Sequence, residues 1–197
     1  MTNILIAGVG GQGTVLASKL IAAAALQCGY HVRTTETIGM AQRGGSVVSH
    51  VRIGEDIFSP LIPLDGAQVL IAFEPAEAAR CLPYLSEGGK LIVCDSSVKP
   101  VAGPKAGQPY EASVITGYLR AHVPGAVVVD GRPLKERCPK TLNVAILGAA
   151  AQGGFFPFEA EALKAVIPDM LPQRFWALDL ASFDFGREIY DEAIGRH

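Results

Sequence analysis

Apolar residues follow two rhythms along this chain. Short apolar runs alternate with longer stretches in which apolar positions spread around a helical turn. Asn3–Ala7 (NILIA) predicts a first strand buried on both faces. Thr14–Cys28 (TVLASKLIAAAALQC), with Lys19 as its only charge, predicts a helix packed against a sheet. His31–Thr35 predicts a second strand, and the β-branched run Ser46–Ile53 (SVVSHVRI) another. Gly54-Glu55-Asp56 reads as a turn, with Ile57–Ile62 returning as a hairpin strand that Pro60 makes irregular. Val69–Phe73 is a further buried strand. Glu74–Leu85 is a helix opened by Pro75 and ended or kinked by Pro83. Gly88-Gly89 turns the chain into the strand Lys90–Cys94. Residues 95–110, with three prolines and two glycines, read as an exposed loop. Glu111–His122 is helical, Ala126–Val129 a strand, Thr141–Gln152 an apolar helix, and Glu159–Val166 and Phe183–Ile194 shorter helices.

Strands that alternate with helices call for a mostly parallel sheet covered on both faces. The expected fold is therefore α/β and Rossmann-like, with helices on both faces and a β-hairpin inserted at 46–62. The length of 197 residues suits one domain, residues 1–197. Ligands of such sheets sit near the carboxyl ends of the first strands.

Composition narrows the choice of partners. Hydrophobic residues make up 49% and mean hydropathy is +0.29, a surplus that fits a large core or a surface covered by a partner. Net charge is −2 without a Lys/Arg cluster, which argues against nucleic acid and anionic membrane. The longest apolar run, Leu20–Leu26, is too short to span a bilayer. The chain enters its first strand without a basic leader, so the expected location is cytoplasmic. Cys28, Cys81, Cys94 and Cys138 lie far apart and form no C-x-x-C pair, which argues against zinc and iron–sulfur ligation; buried reduced thiols are expected.

The candidate chemistry begins at Gly8-Val9-Gly10-Gly11-Gln12-Gly13, which joins the first strand to the Thr14 helix at the G-x-G-x-x-G spacing. Glycine takes positive φ and lets a ligand approach closely, and the helix start aims free N–H groups and a positive dipole end at it. A dinucleotide site also needs an acidic residue after the second strand. Glu36 stands in about that place, as a ribose ligand or a cap on the next loop. Thr37–Gly45 (TIGMAQRGG) does not continue as a crossover helix. It carries Gly39, Gly44, Gly45 and the single Arg43, then enters a strand. His31, His50, His122 and His197 have no motif partner and read as structural or solvated. On these residues alone, a free-standing Rossmann-like protein that binds NAD or a flavin stays open.

Gly8–Gly13 followed by Met40–His50 (MAQRGGSVVSH) resembles the gamma-type domain of 2-oxoacid:ferredoxin oxidoreductases. Phe58–Ile62 (FSPLI), Leu70–Pro75 (LIAFEP), Tyr84–Gly89 (YLSEGG), Thr141–Gly148 (TLNVAILG) and Ala181–Glu188 (ASFDFGRE) extend the resemblance over nearly the whole chain. Within the family it is most similar to the small subunits of the indolepyruvate enzymes. The resemblance implies oxidative decarboxylation of a 2-oxo acid, such as an arylpyruvate, to an acyl-coenzyme A with reduction of ferredoxin. It also implies a large alpha subunit as partner. The residues limit this chain's share. It has no G-D-G motif for thiamine diphosphate and magnesium, and its cysteines suit no ferredoxin-type cluster. Those cofactors are expected on the large subunit, with no catalytic or metal-binding residue here and an inactive isolated chain. Gly8, Gly10, Gly11, Gln12, Gly13, Arg43, Gly44 and Gly45 are the candidate cofactor-edge residues. The loop either receives a coenzyme A phosphate or only permits tight packing. Arg43 either binds phosphate or carboxylate or pairs with the partner.

Overall fold

A computed structural model of the chain describes residues 1–38, 45–98 and 111–195. Its centre is a six-stranded sheet. In chain order the strands are β1 (Thr2–Val9), β2 (Val32–Ile38), β3 (Ser46–Ile53), β4 (Ala67–Ala72), β5 (Leu85–Cys94) and β6 (Val127–Val129), and their spatial order is β2-β3-β1-β4-β5-β6. β1 pairs in parallel with β4, β4 with β5, and β5 with β6, whereas β3 is antiparallel to both β1 and β2. The helices are α1 (Thr14–Gln27), α2 (Pro75–Cys81), α3 (Ala112–His122), α4 (Gly131–Arg137), α5 (Leu142–Gln152), α6 (Ala160–Ala165), α7 (Ile167–Met170) and α8 (Trp176–Ile194). No described helix is long and apolar enough to cross a membrane.

Alternation along β1 splits the core in two. Ile4 and Ile6 face a cluster built from α1, α5, α6 and α8. Leu5 and Ala7 face a second cluster with residues of α2 and α3. The expected mostly parallel sheet with helices on both faces is therefore what forms. α1 ends in a Schellman turn, where Gly29 (φ 83) and Tyr30 return N–H groups to Leu26 and Ala25. Glu74 caps α2 by accepting from the Glu77 N–H at 3.0 Å, and Pro75 takes the first helical position, where no N–H is needed.

The hairpin differs from its expected place. Ile57–Ile62 forms no strand; β3 pairs back onto β2, and its other edge is taken by β1. The 57–62 segment lies as a strap over β3, because Arg52 donates to the Ser59 and Leu61 carbonyls and the Ile62 N–H donates to His50. The Glu74–Leu85 helix stops at Cys81 and passes through a 3-10 turn at Leu82–Tyr84 that contains Pro83. Gly88, at φ +72, lies within β5, where the pairing with β4 jumps from Ala67↔Leu85 to Val69↔Lys90 and the extra residues bulge out. α4 had no periodic signal, and α8 starts at Trp176 instead of Phe183. Cys81, Cys94 and Cys138 are buried as expected, but Cys28 is exposed at the end of α1. Most of the expected loop at 95–110 lies outside the described residues.

Candidate functional site

The parallel strands deliver their carboxyl ends to one edge of the sheet, and the glycine turn closes that edge above β1. Gln12 locks the turn. Its N–H donates to the Val9 carbonyl at 3.0 Å while its Oε1 accepts from the Val9 N–H at 2.7 Å. Its Nε2 reaches the Phe73 carbonyl at the end of β4, 3.1 Å away. Gln12 is thus a strut between two strand ends and has little left to offer a ligand. The Gly10 N–H donates to the Gly45 carbonyl at 2.8 Å, so the glycine turn and the start of β3 meet as the paired motifs require. Arg43 and Gly44 lie outside the described residues.

The glycines of the turn serve different ends. A Cβ on Gly8 would stand 2.9 Å from both Gln12 Oε1 and Thr14 Cγ2. A Cβ on Gly13 would stand 2.5 Å from Asn143 Nδ2, and Gly13 holds φ +83 as it caps α1. Both positions are filled by the protein itself. Gly11 is different: at φ +98 it has nothing within 4 Å of a Cβ and is exposed. The first turn of α1 has no side-chain cap and no acidic residue. An open glycine beside an uncapped helix start is the part of the turn that can face an anion.

Asn143, which the sequence reading passed over, closes the turn from the other side. It is buried at the start of α5, and its Nδ2 lies 3.4 Å from the Gly13 carbonyl. Its signal is an amide at the head of an otherwise apolar run, Leu142–Ala151. α5 is positioned by α8 through contacts between backbones. A Cβ on Gly148 would lie 2.0 Å from the Phe183 carbonyl oxygen, and one on Gly186 would lie 1.8 Å from that of Ala145. Thr141 and Ser182 hydroxyls share a bond of 2.6 Å in the same crossing. The TLNVAILG and ASFDFGRE segments are therefore one packed unit that presents Asn143 to the glycine turn.

Glu36 is not placed for a ribose. It sits exposed within β2, opposite Ser49 of β3, and makes no cap among the described residues. Because β3 lies between β1 and β2, Glu36 is two strand spacings, about 10 Å, from Ile6 of β1 and farther still from the turn. The other titratable groups suit structure better than chemistry. Burial pushes the Cys94 thiol up to about 12, and burial aided by the Glu77 charge pushes Cys81 up to about 11. Both are poor thiolates. Burial also lowers the pKa of His50, whose Nδ1 accepts from the Ile62 N–H at 3.2 Å. A cavity of about 500 Å³ opens beside Asp95 and Asp130, but Asp95 accepts from the Gly131 N–H at 2.7 Å and Asp130 caps α4 and pairs with Arg132. Among the described residues no group of three or more His, Cys, Asp or Glu could hold a metal ion.

The sequence profile for pyruvate ferredoxin/flavodoxin oxidoreductase matches residues 3–189. An indolepyruvate oxidoreductase subunit IorB from Archaeoglobus fulgidus is 38% identical over 98% of this chain and 95% of its own. The subunit of the same name from Methanothermobacter thermautotrophicus is 37% identical over 93% and 95%. Among solved structures, the gamma subunit of a keto/oxoacid ferredoxin oxidoreductase from Geobacter sulfurreducens has the same fold, with a TM-score of 0.68 at 22% identity over 98% of this chain and 100% of that one. The 2-oxoglutarate:ferredoxin oxidoreductase of Magnetococcus marinus, solved with 2-oxoglutarate, coenzyme A and succinyl-CoA bound, contains the fold within a longer chain: TM-score 0.68, 23% identity, 97% of this chain and 31% of that one. Matched from its first strand to its last helix, this chain belongs to the pyruvate ferredoxin/flavodoxin oxidoreductase family.

Proposed function

We propose that this chain, one domain over residues 1–197, is the small non-catalytic subunit of an indolepyruvate-type ferredoxin oxidoreductase. The complex oxidatively decarboxylates an arylpyruvate to an acyl-coenzyme A and passes the electrons to ferredoxin. The observation that carries this reading is the 38% identity, nearly end to end, with a relative named as a subunit of an indolepyruvate oxidoreductase. The large alpha subunit holds thiamine diphosphate, magnesium and the iron–sulfur clusters, and thiamine diphosphate supplies the decarboxylation chemistry.

This chain's own contribution is made at the carboxyl edge of the sheet. Gly11 and the uncapped first turn of α1 receive a phosphate of coenzyme A, while Gly8, Gln12 and Gly13 hold the turn in shape. A free-standing NAD or flavin protein is disfavoured because β3 separates Glu36 from the turn.

Co-expression with the large subunit tests the reading. The purified complex is expected to reduce ferredoxin with indolepyruvate and coenzyme A, and this chain alone to do neither. Turnover by the isolated chain would overturn the subunit assignment. Gly11→Asp places a carboxylate in the open space at the helix start. It is expected to raise KM for coenzyme A several-fold and leave KM for the 2-oxo acid unchanged. An unchanged KM for coenzyme A would make the turn a packing element only.

A further inference from the structure

The FSPLI segment has no part in the glycine turn, yet its backbone is tied to the sheet by several hydrogen bonds while it exposes large apolar side chains. Asp56 and Asp65, both in the left-handed region at φ 57 and φ 56, bracket the segment with tight turns. Between them the chain is pinned to the sheet from below. Arg33 Nε donates to the Ile57 carbonyl at 2.7 Å, Arg52 Nη1 to those of Ser59 and Leu61 at 2.8 and 3.2 Å, and the Ile62 N–H to His50. Ile62 is buried in the core beneath. The pinned backbone turns three large side chains outward: Phe58 is 93% exposed, Leu64 62% and Leu61 54%. Beside Phe58 runs a groove of about 1040 Å³, walled by Leu26 and Tyr30 at the end of α1 and by Ile57. The groove lies at the amino end of β1, opposite the glycine turn, since Ile53 pairs with Thr2.

A backbone already pinned in place loses little entropy when the side chains it carries dock, which favours a binding hot spot. A phenylalanine brings about 150–250 Å² to an interface, and an ordinary interface takes roughly 800 Å² from each partner. Phe58 with the two leucines thus supplies a substantial part of an apolar centre. Glu55, Asp56 and Asp65 flank this centre, are exposed, and form no ion pair among the described residues, while Arg33 and Arg52, which touch the strap, aim their donors at its carbonyls. A second copy of the chain would set this acidic rim against itself. A partner with an apolar socket and a Lys/Arg rim would complement it.

We propose that the Phe58 strap is the docking surface for the large subunit, which offers an apolar socket with a basic rim. The assignment rests on the subunit reading above. The test is the affinity of the full chain for the recombinant large subunit, measured at two salt concentrations. Phe58→Asp is expected to weaken binding at least ~100-fold and Phe58→Ala at least ~10-fold, with the melting temperature of the isolated chain unchanged because Phe58 touches little. Glu55→Lys is expected to weaken binding and flatten its salt dependence. If the native chain does not bind the large subunit at all, the subunit reading fails. If it binds and Phe58→Asp binds as well, the docking assignment fails alone. If Phe58→Asp changes only the self-association of this chain in sedimentation, the strap is a homodimer surface and the assignment is overturned. Tight binding that is insensitive to salt and to Glu55→Lys overturns the basic rim.

Discussion

Two regions on opposite faces of the sheet are closed by different physics. On one face α5 and α8 meet backbone to backbone, with Gly148 and Gly186 admitting carbonyl oxygens to where a Cβ would sit. On the other face no described helix covers β3, and the strap is held there by two arginines and a histidine. The Gly148 and Gly186 contacts depend on absent volume, which pH and salt do not alter. The strap depends on polar bonds whose donors and acceptors can change. The glycine turn stands between these extremes, since Gly8 and Gly13 are filled by protein atoms while Gly11 is open. A glycine motif is thus a mixture of packing and access, and only the neighbours of each residue say which.

The largest effect should come from the volume-closed face. Gly186→Ala would put its Cβ 1.8 Å from the Ala145 carbonyl oxygen, and backbone cannot rotate away as a side-chain tip does. Overpacking of this kind costs ~3 kcal/mol or more, which lowers Tm by roughly 6–12 °C in a chain of this size. Thermal unfolding of the isolated chain checks this. A shift within the error of the melt would mean that α8 can slide on α5, and the contrast between the two faces would vanish.

The glycine turn should give an intermediate effect that separates its two components. Gly11→Ala meets only an unfavourable φ, for about 1 kcal/mol. Gly13→Ala meets the same backbone penalty and also collides with the Asn143 amide, so about 2–3 kcal/mol is expected. Asn143→Ala removes the obstacle. In a double-mutant cycle read by denaturant unfolding, Gly13→Ala should then cost less in the Asn143→Ala background than in the native one. Additive losses would show that Asn143 does not hold the turn.

These contrasts mark what the sequence could disclose. β1, α1, β3 and α5 are legible because each is a mainly apolar run of strand or helix length bounded by turn residues or polar positions. The 46–62 hairpin was misplaced because local pattern cannot say which neighbour a strand chooses. SVVSHVRI pairs equally well in either direction, and the choice fell to β1 and β2, beyond the reach of the Gly54 turn. Ile57–Ile62 has the apolar content of a strand, but Pro60 and the waiting donors of Arg33 and Arg52 make a pinned strap the better use of its carbonyls. At the turn, the Gly10 N–H meets the Gly45 carbonyl, which brings the two glycine segments together. Their separate roles were not legible, because Phe73 and Asn143 come from distant parts of the chain. The α5–α8 crossing was hidden for the same reason: Gly148 and Gly186 become meaningful only against carbonyls far away in sequence.

The smallest effect belongs to the polar face and is read by pH. His50 is buried with Nδ1 accepting from the Ile62 N–H, a bond that only the neutral ring can make. Tyr84 packs edge-on to it, Thr35 and Leu5 stand opposite on the neighbouring strands, and Arg52 lies two residues along the same face. No described carboxylate pairs with it. Burial lowers its folded pKa below the ordinary 6.5. The unfolded chain therefore binds the proton more readily, and stability rises with pH across the interval between the two values. His50 contributes fully above about pH 6.5, and its contribution is lost as pH falls from there through the folded value. A protonated ring would also turn Nδ1 into a donor facing the Ile62 donor, so the strap should loosen before the rest of the sheet. Denaturant midpoints of the native chain and His50→Gln, followed from pH 8 to pH 5, isolate this group because the other titrating residues cancel in the difference. The native chain should lose its advantage over the variant below pH 6.5, while Gly186→Ala carries the same penalty throughout. A difference that stays flat across that range would mean the strap is held by Arg33 and Arg52 alone, and both faces would then be closed by contacts that pH does not reach.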